Sequence, residues 1–240
     1  MAGLGTLINA LAIIAGGIVG MVFGKKIPER MQETLLKVNG TAVLFIGIGG
    51  VMSKMLTIKD GVVNTQGSMM MIGSLAIGTV VGELLDLDGW MHRFGVCLQK
   101  KTGNGSDSHF IEGFVSASLT VCIGAMAIVG SIQDGILGDW SILATKAILD
   151  LIIIIMVMTC SMGKGCVFSA IPVLVFEGLI TVCSSFLQPI MTDTAMANLS
   201  LVGSVLIFCV GINLVFGKKV SVANMLPSVV FAIIVAFLPL

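Results

Sequence analysis

Lys146 and Asp150 stand four residues apart inside the apolar run WSILATKAILDLIIIIMVM, and Glu177 lies inside the next one, CVFSAIPVLVFEGLITVC. Four residues make about one helical turn, so the ammonium and the carboxylate share a face and can neutralise each other. Counted from the ends of their apolar segments, Asp150 and Glu177 both lie roughly 14 to 17 Å deep at ~1.5 Å per residue. Ionisable groups at mid-membrane cost about 2.5 to 3.5 kcal/mol each on insertion scales, so they face a bundle interior or a wet cavity and mark ion or solute paths. The chemistry this predicts is a proton- or cation-linked binding site, in which Lys146 leaves Asp150 or Glu177 when a substrate arrives. The competing reading is a buried pair that only fixes helix registry.

Asp134 joins the candidate site from the segment GAMAIVGSIQDGILGDW, where Gly124, Gly130, Ser131, Gln133 and Gly135 surround it. D-G is an ordinary turn signal, so an extracellular loop is the preferred reading. The alternative is an unwound or re-entrant tip at the outer mouth, allowed at membrane depth only where protein or a wet cavity shields the backbone. Pro172, five residues before Glu177, is expected to remove a backbone hydrogen bond and kink its helix. Asn9 and Asn213 are read as helix-to-helix glue, and Glu112 as an acid meeting a helix N-terminus.

Other chemistries find little to stand on. The six cysteines are scattered without CxxC spacing, and although Cys160 and Cys166 flank a short loop, partner ligands for a metal are missing. That loop is assigned to the cytoplasm, where thiols stay reduced. The sixteen methionines are dispersed and read as adaptable packing. No P-loop, HExxH or GxSxG occurs, and His92 and His109 lie away from the buried carboxylates. The expectation is a protein that is not an enzyme and uses no cofactor or metal.

The elements that must hold these groups are membrane helices. Of 240 residues, 56% are hydrophobic and 11% charged, with a mean hydropathy of +1.09, against about 25% charge in a soluble domain. Equal numbers of basic and acidic residues, thirteen each, leave no basic footprint, which excludes nucleic acid as a partner. Apolar stretches long enough to cross a bilayer fall at 4–24, 34–57, 68–87, 110–132, 141–162, 166–188, 195–217 and 223–240. This gives an all-α polytopic bundle of eight spans in one membrane domain over 1–240, with seven spans as the alternative. The start of the chain lacks the basic region of a secretory signal and is expected to remain as the first span.

Lys and Arg place the bundle. Lys25, Lys26, Arg30, Lys37, Arg93, Lys100, Lys101, Lys164, Lys218 and Lys219 all follow odd-numbered spans, while the even connections hold only Lys54 and Lys59. Short cytoplasmic loops carry the positive excess, so both termini are expected outside. The connection after span three contains an amphipathic piece over 89–101, with Trp90 and Phe94 as anchors at the cytoplasmic surface.

Ala12, Gly16, Gly20 and Gly24, and again Ser74, Gly78 and Gly82, recur every four residues. Such stripes let helix backbones approach closely; packing within the chain is preferred over a homo-oligomer interface. VFGKKI at 22–27 recurs as VFGKKV at 215–220, and GTAVLFIGIGG at 40–50 loosely matches GSVLIFCVGIN at 203–213 in a helix of opposite direction. The second echo would pair spans one to three with six to eight as an inverted repeat, an architecture of transporters.

GLGTLINALAIIAGGIVG, FGKKIPERMQETLLK, VGELLDLDG, the run EGFVSASLTVCIGAMAIVGSIQDGILGDWSILATKAILD, FSAIPVLVFEGLIT and VANMLP together resemble domain-of-unknown-function family 554, small proteins of the bacterial inner membrane. The resemblance covers nearly the whole chain. It implies a polytopic inner-membrane protein and supplies no catalytic or binding residue. The functional expectation therefore comes from the buried charges: a small-solute or ion transporter, proton- or cation-coupled, surrounded by lipid bilayer and serving an unidentified small solute or ion through Lys146, Asp150, Glu177 and Asp134. The alternative is a non-transporting scaffold or regulatory partner.

Overall fold

The computed structural model describes residues 2–24, 28–59, 61–103, 109–122, 125–155 and 163–238. Among them the chain runs α1 (Leu4–Gly24), α2 (Glu29–Met55), a hairpin of β1 (Leu56–Lys59) and β2 (Val62–Thr65), α3 (Ser68–Leu85), α4 (Leu87–Lys101), α5 (Phe110–Cys122), α6 (Ala125–Leu137) and α7 (Ser141–Ile153). A 3-10 turn at Lys164–Ser169 leads into α8 (Ala170–Val182), then come α9 (Asp193–Phe216), a 3-10 turn at Val222–Met225, and α10 (Pro227–Val235). Among the described residues four helices are long and apolar enough to cross a membrane, Leu4–Phe23, Ser68–Leu85, Lys164–Val182 and Asp193–Phe216. The pair α5 and α6, bent by 62°, makes a fifth if it counts as one broken span, and Gly40–Met55 and Val222–Val235 are shorter apolar helices. Part of the expected fifth span, 156–162, lies outside the described residues, as do Cys160, Lys25 and Lys26.

The helix ends follow local chemistry. Thr192 caps α9, its hydroxyl accepting the Ala195 N–H at 3.2 Å, which satisfies one of the orphan donors of a helix start. The Ser141 N–H donates to Asp139 Oδ1 at 3.0 Å ahead of α7 and holds that exposed carboxyl below its usual range. The strands pair antiparallel from Leu56 opposite Thr65 to Lys59 opposite Val62; in the sequence their short β-branched alternation is hidden beside a long helix, and the hairpin was not anticipated. Pro172 does not kink a helix. It is the third residue of α8, in the first turn, where a missing N–H breaks no intrahelical bond.

The chain forms two compact units. The first holds residues 1–39 and 90–187. In it α1 runs parallel to α7, with Gly5 against Leu143 and Gly16 against Leu151 and Ile155. It runs antiparallel to α8, with Thr6 opposite Thr181, Asn9 opposite Glu177 and Gly17 on Val167. α6 closes on α7 through Gly130 at Leu143 and on α8 through Gly135 at Thr181, with Ser184 just beyond the end of α8 also in contact. Leu7, Leu11, Ile14 and Ile18, recurring at helical spacing, stay exposed on α1 while Asn9 and Ile13 are wholly buried. A helix with its polar residue inside and its leucines outside fits a lipid surrounding. α4 forms as an amphipathic helix, with Trp90 stacked on Phe94 (centroids 6.1 Å) and Phe94 against Phe114 of α5.

The second unit holds residues 40–89 and 188–240. Here the small residues meet backbone. Gly40 lies at Leu214 and Val215, Gly47 at Phe208, Gly50 at Ser204 and Gly211 at Leu44, so residues 40–50 and 204–215 pack antiparallel. The α3 stripe does the same at the end of the chain: Gly78 lies on Ser228 of α10 and Gly82 on Asn224 of the 3-10 turn before it. Asn213 acts within its own chain end, accepting the N–H groups of Lys219 (2.8 Å) and Val220 (2.9 Å) and donating to Val220 O (2.7 Å). This closes the turn where Gly217 takes φ +75, a backbone angle glycine adopts at no steric cost.

Candidate functional site

Three helices of the first unit bring their charges together. Lys146 and Asp150 lie one turn apart on α7, with Ile148, Leu149 and Ile152 exposed on the other side. Their side chains are each 7% exposed and form an ion pair. Lys146 Nζ also stands 3.4 Å from Glu177 Oε1 on α8, a side chain with no exposure. An ammonium has three N–H donors, and the third acceptor is the Val121 carbonyl at 2.8 Å. Val121 lies in the last described turn of α5, where the final carbonyls of a helix are open to other donors. The break between α5 and α6 thus supplies a ligand to the lysine. Gly124 of the expected outer tip lies outside the described residues.

Asn9, from the middle of α1, donates through Nδ2 to Glu177 Oε1 at 2.9 Å. The glue reading of Asn9 holds, and its target is the site itself. Two acceptors around the lysine are left over: Glu177 Oε2 and Asn9 Oδ1 are buried without a hydrogen-bond partner among the described residues. A buried acceptor without a donor costs about 1 to 3 kcal/mol, more when charged. Two carboxyl groups thus share one ammonium.

Asp134 sits elsewhere than the sequence suggested. The D-G pair does not make a loop: residues 125–137 form α6, Asp134 and Ser131 have no exposure, and the turn falls at Gly138 with φ +68. Dense apolar flanks, IVG before and IL after, let the helix continue through the dipeptide, since burial outweighs the ~1 kcal/mol cost of a helical glycine. Asp134 does not touch Lys146. Its Oδ2 accepts the Gly5 N–H at 3.0 Å, one of the orphan donors at the start of α1. One turn of α1 separates Gly5 from Asn9, so Asp134 and Glu177 mark two layers about 6 Å apart along that helix.

The other candidates lie apart from both layers. Glu112 is in the first turn of α5, 3.9 Å from the exposed His109. Cys166 is fully buried, its thiol 3.6 Å from Gly113 O, and Phe110 and Phe168 pack beside it (centroids 5.3 Å). Among the described residues no group of three or more His, Cys, Asp or Glu is placed to hold a metal ion. The residues that sequence reasoning missed are the Val121 carbonyl, Thr6 and Thr181; Ser131 was read as a polar neighbour of Asp134, whereas a backbone carbonyl carries no signal in the sequence.

Comparisons with known proteins agree with the membrane character of these helices. A family model described as "Protein of unknown function (DUF554)" matches residues 4–237. The chain is 28% identical over 233 residues to the "Uncharacterized membrane protein YdfK" of Bacillus subtilis (strain 168), covering 97% of this chain and 95% of that protein. It is also 28% identical over 236 residues to the "Uncharacterized protein YqgA" of Escherichia coli (strain K12), covering 95% and 94%. No solved structure matches it.

Proposed function

Because the chain belongs to the DUF554 family, whose description names no activity, we propose from the buried cluster itself that this membrane protein is a small-solute or ion transporter coupled to protons or another cation. One observation carries the reading: Glu177, without exposure and with one oxygen unpartnered, shares Lys146 with Asp150 among apolar helices. A cluster built only for stability gains little from a surplus carboxylate, since a buried ion pair rarely repays its desolvation. A carboxylate that must alternately hold and release a cation needs that surplus.

The finer architecture belongs to the same proposal: eight crossings in the bacterial inner membrane, both termini outside, with spans one to three related to spans six to eight as an inverted repeat. Supporting it, the members of each pair pack antiparallel: α1 with α8 in the first unit, and α2 with α9 and α3 with the final helix in the second. Antiparallel helices are what an axis in the membrane plane relates. The topology predicts that a reporter active only outside the cytoplasm works when fused at Gly61 in the hairpin and fails when fused at Gly103 after α4. The reverse pattern would invert the orientation.

The transport reading is tested by reconstitution. In proteoliposomes under an imposed membrane potential, uptake of radiolabelled sodium, or of protons followed by a pH dye, is expected from the native protein. Glu177→Gln and Asp150→Asn should lower it about tenfold or more, the equivalent of losing ~1.4 kcal/mol or more of ion binding, at unchanged yield. Equal uptake in the variants would remove the proposal. The alternative, a scaffold or regulatory partner, is favoured by one feature: Lys146 has an acceptor for each of its three donors. On that reading, replacing Lys146 and Asp150 together by apolar residues preserves the cellular phenotype.

A further inference from the structure

The layer of the first unit around Asp134 is chemically separate from the lysine cluster. Asp134 has no exposure, and no basic side chain pairs with it among the described residues. One oxygen takes the Gly5 N–H, and the other, Oδ1, has no partner. Ser131, on the same face of α6 one turn away, is equally buried, and its hydroxyl is also unpartnered. Buried polar oxygens without a partner are costly, and a buried carboxyl group calls for a donor or a counter-charge.

Two more oxygens reach the same three-helix junction. Thr6 follows Gly5 on α1, and its hydroxyl stands 3.4 Å from that of Thr181 on α8. A Cβ added at Gly135, the residue after Asp134, would collide with the Thr181 carbonyl oxygen, so α6 and α8 touch at this level. Leu143 of α7, fully buried, walls the junction from Gly5 to Gly130. Oxygens bound to one ion at ~2.4 Å in octahedral arrangement lie about 3.4 Å apart along an edge, the separation the two threonine hydroxyls already have.

We infer that Thr6, Ser131, Asp134 and Thr181 form a binding site for one dehydrated alkali cation of sodium size, distinct from the Lys146 cluster. A single carboxylate balances a single positive charge. A divalent ion of similar size takes six to eight oxygens, several of them carboxylate, and an anion would find acceptors where it needs donors. Resting on the transport reading, this site holds the coupling ion, one helical turn from the solute-facing Glu177. The shared helices α1 and α8 connect the two layers: Asn9 and Thr6 on one, Glu177 and Thr181 on the other.

Equilibrium binding tests the site without any flux. Purified full-length protein in lipid nanodiscs is titrated with sodium chloride against choline chloride at constant ionic strength and pH 8, reading the thermal unfolding midpoint. A saturable sodium-dependent rise is expected, absent in Asp134→Asn and shifted about tenfold to higher sodium in Ser131→Ala, the loss of one oxygen ligand worth ~1.4 kcal/mol. Should Asp134→Asn not fold, Ser131→Ala and Thr181→Val carry the comparison. No sodium effect in the native protein, the same effect in all variants, or stabilisation by acidification in choline with none from sodium overturns the inference, the last by making the ligand a proton. A protein that binds sodium here yet moves no ion across vesicles would remove the transport reading and leave this site standing.

Discussion

Lys146→Met is expected to be the most damaging single change in the first unit, lowering stability by about 3 to 5 kcal/mol. The substitution nearly preserves side-chain volume, so packing is not what is lost. Asp150 and Glu177 would stay buried with no cation between them, and the Val121 carbonyl would lose its donor. Breaking a buried pair by removing one partner costs in this range because the other charge remains uncompensated. The measurement is the thermal or denaturant midpoint of purified protein, with yield of monodisperse material as a second readout. Adding Asp150→Leu to Lys146→Met should recover part of the loss, since the double change removes the orphaned charge as well; the coupling of neighbours in one network runs to about 0.5 to 3 kcal/mol. If Lys146→Met melts like the native protein, the lysine is not holding the carboxylates and the cluster has been misread.

The second large effect lies in the other unit and involves no charge. Gly82→Ala would place a methyl on the Asn224 carbonyl oxygen, and Asn224 is itself fixed, because its side-chain oxygen accepts the Asp88 N–H at 2.6 Å. The obstacle is backbone on a 3-10 turn, which cannot rotate away as a side chain can. Overpacking in such places costs about 1 to 3 kcal/mol and sometimes more, so a loss of ~3 kcal/mol is expected, read from the same melts. Gly73→Ala is the control: it lies on α3 too, with nothing within 4 Å of the added atom. It should be neutral or stabilising by up to about 1 kcal/mol, since alanine is the better helix former. Equal effects of the two substitutions would mean that α3 does not pack through its stripe.

Both predictions concern residues that were visible in the sequence, but for different reasons. The Lys146, Asp150 and Glu177 cluster was legible because charge is rare in apolar runs and depth can be counted along a helix of fixed rise. The depths do match, but α7 and α8 are not the close neighbours that their short connection predicts: both pack mainly on α1 and α6, and the long Lys146 side chain reaches Glu177 across the junction. The glycine stripes were legible as close approaches, and the preference for packing inside the chain agrees with Gly16 facing α7 and Gly78 and Gly82 facing α10 and the turn before it. What each glycine would touch was beyond reach, since a stripe declares smallness and carries no address.

Asp134 and Pro172 show how local signals mislead. D-G is a turn signal in water because it competes well against a solvated helix; within an apolar segment an open turn would strand backbone groups, and α6 runs through it. Pro172 reads as a kink because the apolar run that holds it starts six residues earlier, at Cys166. The helix in fact begins two residues before it, after a 3-10 turn, and helix starts are set by packing that spacing does not encode.

By itself, the sequence determined that most of the chain is apolar helix, that Lys146, Asp150 and Glu177 are buried and where its backbones crowd, because solvation cost, helical period and side-chain size are properties of each residue and its near neighbours. Only the tertiary structure decided that α5 breaks to hand a carbonyl to Lys146, that Asn9 bonds to Glu177, and that Asp134 leaves the lysine for the N-terminus of α1. Those pairings join residues far apart in the chain, and which donor meets which acceptor follows from how helices pack against one another.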